Sequence, residues 1–133
     1  MPLYMLDTNI CIYLLKKQPA AVVQRFAQYY VGEVVMSAIT LAELHYGATI
    51  SSNPSHDRQR LDALIKKIKV AVFDASAAAA YAPIRLATRD RKRDQLDKLI
   101  AAHAVSLGIT LVTNNEKDFA AYPGLRIENW VKR

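Results

Sequence analysis

The apolar residues of the chain fall into short continuous runs separated by longer stretches with helical spacing. The runs have the length of buried strands, and the longer stretches place apolar residues three and four positions apart. Caps, glycine and proline mark the boundaries. The predicted strands are 3–6, 33–37, 70–73, 109–112 and 125–127. Six helices are predicted. The first follows Asp7-Thr8-Asn9, the second covers 19 to about 30, and the third starts at a Thr40 N-cap. The fourth covers 56–69, the fifth starts at Asp74 or Ser76, and the sixth extends from about Asp94 to Gly108, where it ends.

This alternation of strands and helices predicts an α/β fold, with a central parallel sheet flanked by helices, in a single domain over 1–133. In such sheets, ligands bind beyond the carboxyl ends of the strands. Asp7 and the segment Thr113-Asn114-Asn115 each come directly after a predicted strand. We therefore expect these polar side chains to face the ligand crevice.

Composition narrows the classes of function. Eighteen Lys and Arg against twelve Asp and Glu give a net charge of +6, which favours a polyanionic partner such as nucleic acid. No apolar run reaches the roughly 20 residues that span a bilayer, so no membrane role is expected. The lone Cys11 cannot form an internal disulfide, and the first six residues do not resemble a signal peptide. We expect a cytoplasmic protein.

Three acidic residues are candidates for a metal site: Asp7 after the first strand, Glu43 in the third helix and Asp97 early in the last long helix. If they converge, their mutual repulsion is relieved by a divalent cation. Carboxylates without a His or Cys ligand set favour Mg²⁺ or Mn²⁺ over zinc. Such an ion can polarise a phosphodiester and activate water.

Each of these acids also has a purely structural interpretation. Asp7 can be an ordinary helix N-cap. Glu43 stands where the N3 residue of a capping box with Thr40 would stand. Asp97 near a helix start can complement the helix dipole. The spacing of the three residues leaves both interpretations open.

Four sequence strings resemble the signatures of VapC-type PIN-domain toxins. They are Met5-Leu6-Asp7-Thr8-Asn9-Ile10-Cys11-Ile12, the stretch Ser37-Ala38-Ile39-Thr40-Leu41-Ala42-Glu43-Leu44-His45-Tyr46-Gly47, the stretch Leu96-Asp97-Lys98-Leu99-Ile100-Ala101-Ala102-His103-Ala104, and Leu111-Val112-Thr113-Asn114-Asn115-Glu116-Lys117-Asp118-Phe119. Glu128-Asn129-Trp130 resembles the family's usual ending, and the matches keep the family's order from residue 3 to 130.

The resemblance implies an endoribonuclease that binds Mg²⁺ or Mn²⁺ through residues matching Asp7, Glu43 and Asp97. It implies a type II toxin with a cognate VapB-type antitoxin whose tail occupies the active-site groove, and commonly a toxin homodimer. The branch that the opening resembles cuts initiator tRNA in the anticodon loop, which makes that RNA the expected substrate.

The chain departs from the family pattern at two places. Asn115 stands where the family often has a fourth acidic residue, and Asp118 can either compensate or face solvent. The segment before Asp97 lacks the usual Gly-Pro turn, and Asp94 within it can join the acidic pocket or pair with an arginine.

Under the ribonuclease hypothesis, Asp7 and Asp97 bind the metal, and Glu43 orients or deprotonates the attacking water. In-line attack would leave a 5′-phosphate and a 3′-hydroxyl. The expected supporting groups, which hydrogen-bond the phosphate or metal-bound waters, are Thr8, Asn9, Thr113 and Asn115, with Asp118 as an added acidic group.

A basic stripe is predicted for RNA binding. Arg85, Arg89 and Lys92 or Arg93 recur at helical spacing, which would place them on one face of a helix. The alternative is an ordinary solvated face.

Two other classes of function remain open. A phosphatase or phosphotransferase would use Asp7 as nucleophile, but it usually has a second Asp where Asn9 stands. A catalytically weak RNA-binding or partner-binding module of the same fold would bind RNA without cutting it.

Overall fold

The computed structural model describes residues 1–131, so the last two positions of the predicted domain lie outside the described residues. Within that range the strands are β1 (Tyr4–Leu6), β2 (Val34–Ser37), β3 (Lys69–Ala71), β4 (Thr110–Val112) and β5 (Ile127–Glu128). The helices are α1 (Thr8–Lys16), α2 (Ala20–Phe26), α3 (Ala38–Thr49), α4 (Pro54–Ile65), α5 (Ala75–Ala87), α6 (Gln95–Leu107) and α7 (Glu116–Phe119). The strands form one parallel sheet in the order β3-β2-β1-β4-β5, which confirms the predicted fold class.

Successive residues of the central strand β1 point to opposite faces of this sheet. Leu6 packs on one face against a layer that includes residues of α1 and α4, whereas Met5 packs on the other face against α5 and α6. Both side chains are completely buried. The two apolar layers fix β1 at the centre of the molecule, and its carboxyl end leads directly into Asp7.

Several helix boundaries differ from prediction because other residues act as caps. Helix α3 begins at Ala38, since the Ser37 side chain accepts a hydrogen bond from the Ile39 amide, and Thr40 lies inside the helix. The predicted capping box of Thr40 and Glu43 is therefore wrong. Asn53 caps α4 at His56 N, so this helix starts before the predicted position.

The remaining differences are small shifts at element ends. Helix α2 ends before Tyr30, α4 ends before Lys69, and β3 and β5 are each displaced by a residue or two. The short helix α7 was not predicted. Gly108 ends α6 as expected, with a positive φ of 66° that suits glycine. In the described part of the chain, no helix combines the length and apolar character needed to cross a membrane.

Candidate active site

The first acidic residue, Asp7, lies at the carboxyl end of the central strand β1. Its side chain is 4% exposed, and Oδ1 accepts a hydrogen bond of 2.9 Å from the Ile10 amide. Burial raises the pKa of Asp7, while hydrogen bonds from the Thr113 hydroxyl and the Ile10 amide act in the opposite direction. The nearby charge of Glu43 raises this pKa further. Asp7 is thus a helix N-cap, in agreement with its structural interpretation. It also lies near a second carboxylate, that of Glu43.

Glu43 reaches the same region from the second turn of α3. Its Oε1 accepts a hydrogen bond of 2.5 Å from the Thr8 hydroxyl, and that hydroxyl lies 3.2 Å from the hydroxyl of the buried Thr40. Because Thr8 follows Asp7 in the chain, this contact fixes the position of one candidate acid relative to another.

The third acid, Asp97, lies in the first turn of α6 and is partly buried. Burial and, to a smaller extent, neighbouring negative charges together raise the pKa of Asp97 from 3.8 to about 6. Those charges belong, in decreasing order of effect, to Asp7, Glu43, Asp94 and Asp118. The fold therefore brings Asp7 and Glu43 near enough to Asp97 for their charges to raise its pKa.

These carboxylates fit a hydrated divalent cation better than a rigid ligand cage. Among residues 1–131, no three acidic, histidine or cysteine side chains are arranged as a complete metal-ligand group. Mg²⁺ usually keeps several waters and needs only one or two protein carboxylates. A pair such as Asp7 and Asp97 supplies oxygen donors of the correct type, and a cation between them would relieve the repulsion that raises the pKa of Asp97.

The supporting polar residues occupy different positions around this acidic region. Thr113, at the end of β4, is completely buried, and its Oγ1 accepts a hydrogen bond from the Asn115 amide. The Asn115 side chain donates to Asp118 Oδ2 at 3.0 Å. Asp118 is exposed to solvent, yet its charge reaches Asp97. Asn9 is exposed beside the N-terminus of α1.

Asp94 is an ion-pair residue at the edge of the acidic region. Its Oδ1 lies 3.1 Å from Lys98 Nζ, and its Oδ2 accepts a hydrogen bond of 2.6 Å from the Tyr122 hydroxyl. Burial would raise the pKa of Asp94, but its contacts with Tyr122 and Lys98 outweigh burial and lower it. Arg91 lies 3.9 Å away, so Asp94 has the arginine partner suggested by the sequence, although Lys98 is closer.

The predicted basic stripe is not a helical face. Helix α5 ends at Ala87, and the Thr88 hydroxyl at its C-cap donates to the Ile84 carbonyl at 2.7 Å. Arg85 is therefore on α5, whereas Arg89 and Arg93 belong to the following loop. Arg93 and Lys92 line a cleft of about 220 Å³ together with Glu43 and Asp97, so these two cations lie beside the acids.

Two residues of this region were missed by the sequence analysis. Lys98 is 1% exposed, although lysine is among the residues most rarely buried. Tyr122 is also buried, and burial, together with its contact with Asp94, raises its pKa. The four-residue spacing of Asp94 and Lys98 was the available signal, because such pairs meet on one helix face.

Comparison with known proteins places this geometry in a family. The PIN domain family matches residues 4–125. The chain is 41% identical over 129 residues to the tRNA(fMet)-specific endonuclease VapC of Shigella flexneri, covering 96% of this chain and 97% of that protein. It is 38% identical over 130 residues to Ribonuclease VapC of Haemophilus influenzae, covering 96% and 98%.

A solved structure agrees with these sequence relationships. The crystal structure of DNA-bound VapBC from Salmonella typhimurium matches with a TM-score of 0.90 and 38% identity, covering 98% of this chain and 99% of that chain. Both the sequence and the parallel sheet are thus shared over nearly the full length. The chain belongs to the PIN-domain family, and within it to the VapC ribonucleases of toxin–antitoxin systems.

Proposed function

We propose that the protein is a toxin that hydrolyses RNA phosphodiester bonds as a Mg²⁺- or Mn²⁺-dependent endoribonuclease, with Asp7, Glu43 and Asp97 as its catalytic acids. The observation that carries the proposal is the raised pKa of Asp97, which burial and the charges of Asp7 and Glu43 cause. The three acids belong to separate segments, the residue after β1, α3 and α6, and Asp7 follows the carboxyl end of β1, where α/β folds bind ligands.

PIN-domain ribonucleases are generally dependent on a divalent metal ion. The oxygen donors of this site favour Mg²⁺ or Mn²⁺, and Asp7 and Asp97 would hold the ion directly or through water. When bound, the ion supplies Lewis acidity and a lowered pKa for water.

The chain's own residues would do the rest of the chemistry. Glu43, oriented by the Thr8 hydroxyl, takes a proton from the attacking water. The new bond forms between that water oxygen and phosphorus, the bond from phosphorus to the 3′ oxygen breaks, and the departing 3′ oxygen takes a proton from solvent. Buried Thr113 holds the carboxylate of Asp7 in place. The products carry a 5′-phosphate and a 3′-hydroxyl.

Initiator tRNA, cut in the anticodon loop, is the proposed substrate. The relative from Shigella flexneri is named as a tRNA(fMet)-specific endonuclease, and it aligns over nearly the whole of both chains. The net charge of +6 supports a polyanionic substrate. Arg85, Arg89 and Arg93, all exposed, are proposed RNA contacts.

The proposed partner is a VapB-type antitoxin whose tail enters the acidic cleft. The relative from Salmonella typhimurium was solved as DNA-bound VapBC. The carboxylates of Glu43 and Asp97 would attract a cationic side chain of that tail. We further propose action in the cytoplasm, consistent with the lone reduced Cys11.

A homodimer is proposed as the form of the toxin. Large apolar side chains remain exposed, among them Tyr46 on α3, Ile50 at the C-cap of α3 and Leu86 on α5. Exposed apolar side chains of this size are typical of association surfaces when they lie together. Sedimentation of the purified protein measures this directly: a single species at the monomer mass would contradict the dimer.

The function is tested by incubating the purified protein with initiator tRNA and, as a matched substrate, elongator methionine tRNA. We expect one cut in the anticodon loop of the initiator only, with a 5′-phosphate on the downstream product and no cut in EDTA. Metal-dependent cutting of other RNA instead would discard the substrate and keep the enzyme. Binding without any cutting would favour the catalytically weak binding module.

A further inference from the structure

The loop between α5 and α6 is fixed to α6 by a buried lysine. Lys98, the residue after Asp97, directs its Nζ toward the backbone carbonyls of Thr88 and Arg91, each at 3.0 Å. The same nitrogen lies 3.1 Å from Asp94 Oδ1. An ammonium group has three hydrogens to donate, and three partners surround this one. A lysine that is 1% exposed needs such compensation, so the loop must fold around it.

This loop, residues 88–94, is called the basic loop below because it carries Arg89, Arg91, Lys92 and Arg93. It has a second attachment to the segment around α7. Asp94 accepts the Tyr122 hydroxyl at 2.6 Å, and Arg91 Nη1 donates to the Asp118 carbonyl at 2.9 Å. The Arg91 guanidinium also lies 5.8 Å from the centre of the Tyr122 ring. The backbone of the basic loop is therefore held from two sides.

Two cations of the basic loop face the acidic cleft. Lys92 and Arg93 line it together with Glu43 and Asp97, and both side chains are exposed. In the described part of the chain, neither cation forms an ion pair within 4.0 Å, whereas Arg91 and Lys98 pair with Asp94. The cleft thus has carboxylates suited to a metal beside positive charges suited to phosphate.

We propose that Lys98 is a positioning residue that fixes the basic loop so that Lys92 and Arg93 bind the phosphates of an RNA strand entering the acidic cleft. The proposal rests on the proposed function for RNA as the ligand. It separates the cations of this region by role: Arg91 and Lys98 hold the loop, and Lys92 and Arg93 contact the strand. Lys98 acts through them without contacting RNA.

The first experiment measures binding of fluorescein-labelled initiator tRNA by anisotropy in EDTA, over a range of salt concentrations. The Lys92→Gln/Arg93→Gln variant is expected to bind more weakly and to lose about 0.7 of salt slope per lost phosphate contact with a single strand. The matched control is Lys66→Gln/Lys69→Gln, which removes the same charge. Both control lysines are exposed, and Lys69 begins β3 at the opposite, amino edge of the sheet.

The second experiment combines substitutions in a cycle. Lys98→Met is expected to lower both affinity and salt slope toward the values of Lys92→Gln/Arg93→Gln. Adding it to that variant should then produce little further change, because the two loop cations that line the cleft are no longer there to be positioned. Fully additive losses would overturn the positioning role. If Lys98→Met does not fold, Asp94→Asn replaces it in the same cycle, since it removes the ion pair and retains an acceptor for Tyr122.

The two proposals fail in different ways. Binding is measured in EDTA and is therefore independent of cleavage. An RNA that binds in EDTA but is not cut when Mg²⁺ or Mn²⁺ is supplied contradicts the proposed nuclease activity and leaves the proposed role of the basic loop intact. Equal salt slopes for Lys92→Gln/Arg93→Gln and its control, with cleavage intact, contradict the proposed role of the basic loop. They leave the proposed nuclease activity intact.

Discussion

The hydroxyl of Thr8 donates a 2.5 Å hydrogen bond to Oε1 of Glu43, joining the first turn of α1 to α3. Thr8 follows Asp7, whose own side chain caps α1. The hydrogen bond therefore sets the distance between two candidate catalytic carboxylates that are far apart in sequence. A carboxylate held in this way keeps one oxygen engaged and leaves the other for water.

Replacing Thr8 by valine should lower kcat while the protein remains folded. Valine keeps the shape of threonine and removes the donor. A hydrogen bond to a charged group contributes about 1.5–3 kcal/mol, which corresponds to about a 10–100-fold loss if the transition state depends on it. Single-turnover cleavage of initiator tRNA measures this loss.

The matched control for that variant is Thr8→Ser, which retains the hydroxyl and should cleave at nearly the wild-type rate. Equal rates for the valine and serine variants would show that the hydrogen bond to Glu43 does not contribute to catalysis.

The contribution of Asp97 to the stability of the metal-free protein should fall as the pH rises from about 4 to about 6. The pKa of Asp97 is about 6 in the folded state against 3.8 ordinarily, so the folded state binds this proton more tightly than the unfolded state. The stability that protonated Asp97 contributes is fully present below the ordinary pKa of 3.8 and is lost as the pH rises through the folded-state pKa of about 6. In EDTA, Asp97→Asn should melt a few degrees above wild type at pH 7.5 and equally at pH 4.

Addition of Mg²⁺ or Mn²⁺ supplies the control for this comparison. The ion should raise the melting temperature of wild type more than that of Asp97→Asn, because the cation replaces the proton as the compensating charge. A difference in melting temperature that stays constant from pH 4 to pH 8 would contradict the assigned titration.

Substitution of Asn115 by aspartate should strengthen metal binding. The Asn115 amide donates to Asp118, so the carboxylate would instead face Asp118 and add negative charge near Asp97. We expect the metal-free protein to become less stable and the Mn²⁺ concentration for half-maximal cleavage to fall several-fold. Asn115→Ala removes the same amide without adding charge and should show no such fall. An unchanged or higher Mn²⁺ requirement in the aspartate variant would count against a metal in this position.

The fold followed from the sequence because its signals are local. Short apolar runs and capped helices predict the alternation of strands and helices, and alternation implies the parallel sheet. The position of Glu43 within its helix could not be predicted from local signals alone. Thr40 and Glu43 satisfy the capping-box pattern, but α3 starts immediately after β2, so Ser37 caps it and Thr40 is buried.

The prediction of a basic stripe on one helix was wrong for a similar reason. Arg85, Arg89 and Arg93 have helical spacing, yet α5 ends at Ala87 and the chain turns to surround Lys98. That buried ion pair depends on contacts between α6, the preceding loop and Tyr122. Periodicity along one segment contains no information about such contacts. The family resemblance supplied the three acids, and the fold supplies their proximity.

The central claim is that Asp7 belongs to a metal-dependent nuclease site and does more than cap α1. Asparagine caps helices about as well as aspartate and can still accept from the Ile10 amide. Asp7→Asn should therefore remain folded in EDTA, with a melting temperature at or above that of wild type because burial raises the pKa of Asp7, while losing the carboxylate that would bind the ion.

The most direct measurement is cleavage of purified initiator tRNA with Mg²⁺ or Mn²⁺ by wild type and Asp7→Asn side by side. The account predicts a single cut in the anticodon loop by wild type, abolished by EDTA and absent in the folded variant. An undiminished cut by Asp7→Asn would contradict it and would leave Asp7 as a helix cap alone.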